Sequence, residues 1–270
     1  MYLCNVKIDN VNVNQAKEKA GYFLANPGQF KIFTPNPEFV VKAQKDVRFR
    51  ESLNSGDLNI CDGFGLRLFS GCPRIPGSDF MLEICKIAAQ KNVGVYLLGS
   101  GNDEVVKKTA ENLQIQIRGL EVCGYNKGPV IARSETTKQS QEVQKAVGLP
   151  RPFGSRNDTE ILSYDKLENE EIVKNINESG AGIIFVAFGM GKQEQWINEN
   201  LSKLPNVKIA MGVGGSFDYI SGIVRRAPCF LRKIGLEWLY RLVKQPTRLK
   251  RIFNATAVFT FIALKNKIFK

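Results

Sequence analysis

GIIFVAFG, residues 182–189, is a run of apolar and β-branched residues that stops at a glycine. At this length it suits a strand buried on both faces. The same form recurs at FKIFTPN (30–36), DLNICDG (57–63), GVYLLGS (94–100), IRGLEVCGY (117–125) and VKIAMGVGG (207–215), and most of these runs end in Gly, Asn or Asp. Between them lie helix-like segments: PEFVVKAQKDVRFRESL, SDFMLEICKIAAQK, NDEVVKKTAENL, KLENEEIVKNINES and KQEQWINENLSK. This alternation predicts an α/β fold, a mostly parallel Rossmann-like sheet with helices on both faces. In such sheets ligands bind beyond the carboxyl ends of the strands, so the residues that end each run carry the chemical interest.

The net charge of +12 over 270 residues is unevenly placed. Residues 225–270 hold twelve Lys or Arg against one acid, Glu237, whereas residues 1–224 hold 26 bases and 25 acids. The expected organisation is an α/β domain over 1–224 and a basic amphipathic helical appendage over 225–270. A basic segment of this kind attracts a polyanion, either nucleic acid or an anionic membrane surface. Within it Leu236, Leu239, Tyr240 and Val243 fall at helical spacing, with Arg241 and Lys244 elsewhere on the wheel, until Pro246 interrupts. Leu249, Ile252 and Phe253 form a second stripe beside Arg248, Lys250 and Arg251. IFNATAVFTFIAL, with Phe259 and Phe261, has 13 residues, short of the roughly 20 that a spanning helix needs. These stripes fit an interfacial segment, with an oligomer contact or a core-packing helix as the alternative. The polar, proline-bearing segment 128–166 reads as a surface insertion, either a tolerated loop or a substrate lid.

Histidine is absent, which removes Ser-His-Asp and Cys-His nucleophile systems. The six cysteines form no CxxC pair, so they predict reduced thiols rather than a zinc site or a disulfide framework. MYLCNVKIDNVNVNQAKEKAG lacks the basic start and apolar core of a signal peptide. Acid-base work falls to carboxylates, Lys, Tyr and thiols.

At the first run's end, Asn36 suits the cap of a helix opening with Pro37 and Glu38. Thr34 and Asn36 together also suit the hydroxyl groups of a sugar. Asp62, followed by Gly63 and Gly65, is either an Asx-turn residue or a general base. Arg74 could pair with Asp62, grip a phosphate or remain a surface charge. Gly99 and Ser100 lie in a strand, glycine turn and helix start that could present amides to phosphate, although GSG is neither GxGxxG nor a P-loop. Gly189, Gly214 and Gly215 allow close backbone approach, while Gln193, Ser216 and Asp218 offer hydrogen bonds to a sugar or base. No D-x-D occurs. A metal held by such a pair is not expected, and cationic side chains would neutralise a diphosphate instead.

Taken in order, TPNPE, ICDGFGL, RIPGSD, VYLLGS, FGMGKQEQW, GVGGSFDYISG, RRAP and GLEWLYRLVKQPTR resemble the WecG/TagA/CpsF glycosyltransferase family over nearly the whole chain apart from 128–166. The resemblance implies transfer of a sugar, N-acetylmannosamine or a relative, from a UDP donor to a polyprenyl-diphosphate-linked acceptor, by a peripheral enzyme on the cytoplasmic face of the membrane. It implies no cofactor, no metal and inversion at the sugar. It makes Asp62 the base, places Thr34 and Asn36 on the donor sugar and Gln193 near the reacting centre, and gives Arg74 to phosphate. Tail arginines, with Arg241 and Arg248 as candidates, would complete the site. The interval from Asp62 to Arg74 is shorter than usual in the family, and the insertion is atypical. Two competing classes explain less. A nucleic-acid-binding protein accounts for the tail but not for the glycine-rich strand ends, and no nucleic-acid partner is expected; a nucleotide-dependent oxidoreductase lacks its fingerprint.

Overall fold

The computed structural model describes residues 1–129, 166–233, 235, 237–244 and 252–268. The segment 128–166 therefore lies almost wholly outside the described residues, as does the Pro246 interruption. Six parallel strands form one sheet in the order β4-β3-β8-β7-β5-β6. These are β3 (Phe30–Phe33), β4 (Leu58–Asn59), β5 (Val95–Gly99), β6 (Val122–Asn126), β7 (Ile183–Ala187) and β8 (Ile209–Gly212). Each coincides with one of the six apolar runs. A short hairpin of β1 (Tyr2–Leu3) and β2 (Val6–Lys7) precedes them.

The all-apolar strands follow from cover on both sides. Tyr96, Leu98, Ile184, Val186 and Ala210 face one core with Trp196, Val40 and Leu53. Val95, Leu97, Ile183, Phe185 and Met211 face the other with Ile84, Leu113 and Phe217. The side chains alternate with period two, and both sets are buried, so no polar face remains.

PEFVVKAQKDVRFRESL divides into two helices, Pro37–Ala43 and Val47–Asn54. The cause is Asp46, whose carboxylate accepts the Phe49 N–H at 2.9 Å and starts a second helix. The helix Val13–Ala25 and the β1–β2 hairpin were not foreseen. Asn12 and Gln15 close a capping box at the helix start. The hairpin turns on Cys4 and Asn5, both at positive φ (48° and 63°) without a glycine to announce it.

The C-terminal segment returns to the α/β body. After a π-helical turn, Asn254–Val258, the helix Phe259–Ile268 buries Phe259 and Ala263 in the first core, and the Phe259 ring meets Phe69 edge-on at 5.5 Å. Phe259, at 1% exposed, is thus a packing residue and not one free to enter a bilayer, whereas Phe261 on the same helix is 69% exposed. No helix among the described residues is long and apolar enough to cross a membrane.

One backbone approach holds the sheet's far end together. At Gly99 φ is +124°, and a Cβ there would lie 2.7 Å from the carbonyl carbon of Ala187. Gly99→Ala is expected to destabilise the fold by roughly 2 kcal/mol or more, combining a forbidden φ with a backbone clash. Denaturant unfolding checks this; a loss below about 0.5 kcal/mol, the scale of an ordinary surface change, would show that the two strand ends part without cost.

Candidate active site

The connections leaving β3 and β5 run in opposite directions along the sheet, which leaves a crevice beyond the carboxyl ends of β8 and β7. The residues singled out at the strand ends, from Asp62 to Ser100, lie along this edge. Beyond β4 the chain stays bound to the extension of β3: Ile60 N–H donates to Phe33 at 3.0 Å and Asp62 N–H to Pro35 at 2.9 Å. The half-buried Asp62 is thereby set beside Thr34 and Asn36. The glycines after it accommodate protein atoms, since a Cβ on Gly63 would lie 2.9 Å from Pro37 and one on Gly65 3.5 Å from Phe259. Asn36 Oδ1 accepts the N–H groups of Glu38 and Phe39, so the capping role exists. Thr34 is buried against Gly77. Burial pushes the Cys61 thiol up to about 12, which leaves the thiol next to Asp62 unreactive.

Arg74 is carried into the same corner, because the Ile75 N–H donates to Cys61 at 2.9 Å. Its Nη1 donates to the Arg232 carbonyl at 2.8 Å, and its Nη2 lies 3.5 Å from Glu237. Arg226 pairs with Asp79 and lies 3.9 Å from Glu237, and Arg232 lies 3.6 Å from Asp79. Three guanidinium groups thus share two carboxylates. The Nε of Arg74, of Arg226 and of Arg232 is buried without a hydrogen-bond partner among the described residues. The tail does bring arginines to Arg74, but they come from its first turns. Arg226 and Arg232 were missed because the helical-wheel reading looked further along; RRAP held the signal for Arg226. Arg248 and the side chain of Arg241 lie outside the described residues.

The loop after β8 is fixed from two sides. Ser216 Oγ bonds Ser78 Oγ at 2.8 Å and the Val213 carbonyl at 2.6 Å, so this hydroxyl serves internal links. The Gly214 N–H donates to Gln193 Oε1 at 2.9 Å. Gly215 lies next to Asp218, whose Oδ2 is 3.5 Å from where a Cβ would stand. Gln193, 1% exposed, donates through Nε2 to Glu194 Oε1 at 2.7 Å, and Glu194 Oε2 accepts the Gly191 N–H at 2.6 Å. Gly189 and Gly191, at φ of +84° and +90°, shape the turn that brings Gln193 to Gly214. Glu194 was not foreseen; an acid in a helix's first turn reads as an ordinary dipole partner.

Beyond β5 the amides expected to face phosphate are used internally, Ser100 N–H by Ala187 and Gly101 N–H by Lys127. Ser100 holds a positive φ of 76°. Beside it a cleft of about 650 Å³ opens between the ends of β5, β6 and β7, lined by Ser100, Asn102, Asp103, Lys127, Gly128 and Phe188. Among the described residues no group of three or more Cys, Asp or Glu is placed to hold a metal ion.

The model of the glycosyl transferase WecG/TagA/CpsF family matches residues 1–151 and 154–270. An N-acetylglucosaminyldiphosphoundecaprenol N-acetyl-beta-D-mannosaminyltransferase of Bacillus spizizenii is 30% identical over 247 residues, covering 89% of this chain and 81% of the relative. A Staphylococcus aureus protein of the same name is 28% identical over 273 residues, covering 98% of this chain and 92% of the relative.

Burial raises the Glu194 carboxyl from 4.5 to about 7, with bonds from Gln193 and Gly191 and the charge of Lys42 opposing. Between these values the folded chain holds a proton that the unfolded chain releases, so the stability from this group is complete below about pH 4.5 and is lost as pH rises to about 7. Measured against Glu194→Gln, which stays neutral at every pH, the melting temperature of the wild type is expected to match at low pH, to fall relative to it across that window and to stay level above it. A difference independent of pH would mean that Glu194 titrates like an exposed carboxylate.

Proposed function

The chain belongs to the WecG/TagA/CpsF glycosyl transferase family, and on that premise we propose that it moves N-acetylmannosamine, or a close relative, from a UDP-sugar to a polyprenyl-diphosphate-linked sugar acceptor in surface polysaccharide or teichoic acid linkage-unit synthesis. It is a glycosyltransferase by family; donor, acceptor and roles are the reading offered here. The observation that carries it is the backbone pairing that sets Asp62 against Pro35 and Ile75, next to Arg74, against Cys61, with Arg226 and Arg232 drawn to Arg74 through shared Glu237 and Asp79.

In this reading Asp62 takes the proton of the acceptor hydroxyl as that oxygen attacks the anomeric carbon. The diphosphate departs from the opposite face, so a single displacement inverts the centre. The beta linkage in the relatives' name is the product expected from an alpha-linked donor. Arg74, Arg226 and Arg232 supply positive charge to the leaving diphosphate, and three guanidinium groups sharing two carboxylates support the assignment. Thr34 and Asn36 contact the donor sugar, and Gln193, Gly214, Gly215 and Asp218 shape its surroundings. The cleft at Ser100 and Phe188 takes the nucleoside, with hydrogen-bonding groups and one aromatic ring. Domain 1–224 performs transfer, and the tail from 225 both completes the site and lies on an anionic membrane surface at the cytoplasmic face. Exposed Trp238, Leu239, Val243, Phe253 and Phe261 support that contact.

Two assays test the reading. Asp62→Asn is expected to keep UDP binding and lose about 10² to 10⁴-fold in transfer to a lipid-diphosphate acceptor; near-normal turnover would return Asp62 to a turn residue. With arginines in place of a metal, EDTA is expected to leave the wild-type rate unchanged, and a rate abolished by chelator and restored by magnesium or manganese would overturn that part.

A further inference from the structure

We propose that Glu194 is a positioning residue: its carboxylate determines which end of the Gln193 amide faces Gly214, and so holds the glycine turn after β8 against the one after β7. The inference rests on the reading of both turns as parts of the donor site.

The argument is one of donors and acceptors. Glu194 Oε1 faces the Gln193 Nε2 donor and Oε2 faces the Gly191 N–H donor. Gln193 Oε1 in turn accepts from Gly214. An ionised carboxylate satisfies both donors, and only this orientation of the Gln193 amide serves both of its neighbours. With the amide reversed, Nε2 would confront the Gly214 N–H, two donors without an acceptor. Burial makes such a mismatch costly, since Glu194 and Gln193 are 0% and 1% exposed. Space enforces the same contact, because a Cβ on Gly212 would stand 2.7 Å from Gln193 Nε2.

A proton on Glu194 breaks this order. On Oε1 it sets a donor against Gln193 Nε2, and the Gln193–Gly214 link loses its fixed orientation; on Oε2 it sets a donor against the Gly191 N–H and frees the turn after β7. The charged group facing Glu194 is Lys42, on the helix Pro37–Ala43, whose Nζ lies against Gly191 and 4.0 Å from Asp46. The raised affinity of Glu194 for a proton, centred near 7, places this loosening close to neutral pH.

Glu194→Gln mimics the protonated state at every pH with the same volume. The test measures hydrogen exchange of the segment 211–217, corrected for the intrinsic pH dependence, together with steady-state transfer from UDP-N-acetylmannosamine to a lipid-diphosphate acceptor. In E194Q this segment is expected to exchange about 10-fold faster at pH 8 and kcat/KM for the donor to fall about 10-fold or more, the scale of one misplaced buried hydrogen bond. The wild-type acid limb with a midpoint near 7 should be absent from E194Q. Exchange and pH profile indistinguishable from wild type would overturn the proposal. Should E194Q not fold, the wild type decides: protection of 211–217 should drop between pH 8 and pH 6, and constant protection refutes the idea. Should the wild type transfer nothing from the UDP-sugar, the donor reading fails, while the exchange arm still decides the role of Glu194.

Discussion

A sheet covered on both faces has only its ends to offer to water, and at those ends its backbone donors and acceptors have no neighbouring strand to satisfy them. This constraint organises the molecule. The loops leaving β3 to β8 bond to one another: Asp62 to Pro35, Val213 to Val186, Ser100 to Ala187 and Gly101 to Lys127. Ser78 meets Ser216, and Gln193 meets Gly214, across the same edge. Buried polar groups must find partners. Here that requirement creates a rim of defined loops, and the chemistry is placed on it.

Much of the fold was legible because both layers leave marks in composition. Strands covered on both faces read as unbroken apolar runs, most clearly Val95–Gly99, Ile183–Ala187 and Ile209–Gly212, while the half-buried β6 showed only as a shorter mixed run. Helix starts were visible where a cap is followed by proline, as at Asn36 and Pro37. The hairpin at Cys4 and Asn5 was not, since no glycine marks its turn and Cys4 seldom holds a positive φ. The break at Asp46 was hidden because the apolar spacing continues across it.

The site was legible to a different depth. Strand-end position alone drew attention to Asp62, Thr34, Gln193 and Ser100. Position does not reveal what a group is bonded to, and so Ser216 and the Ser100 amide looked available when both are engaged inside the protein. Partnerships between distant segments were equally hidden. Arg226 and Arg232 meet Asp79, over 140 residues earlier in the chain, through a fold that no local pattern encodes. Glu194 needed the full three-dimensional environment, because its importance comes from burial between two donors.

The position of β8 has a consequence for how the protein is made. Among the described residues β8 is the last strand, yet it stands between β3 and β7 and pairs with both. While the chain is being synthesised, β3 and β4 can join as one piece and β5, β6 and β7 as another. Each piece then waits with an open strand edge until Ile209–Gly212 emerges and enters between them. The crevice between the two pieces therefore does not exist before translation has passed residue 212, and a ribosome stalled earlier holds two sticky half-sheets for chaperones to shield.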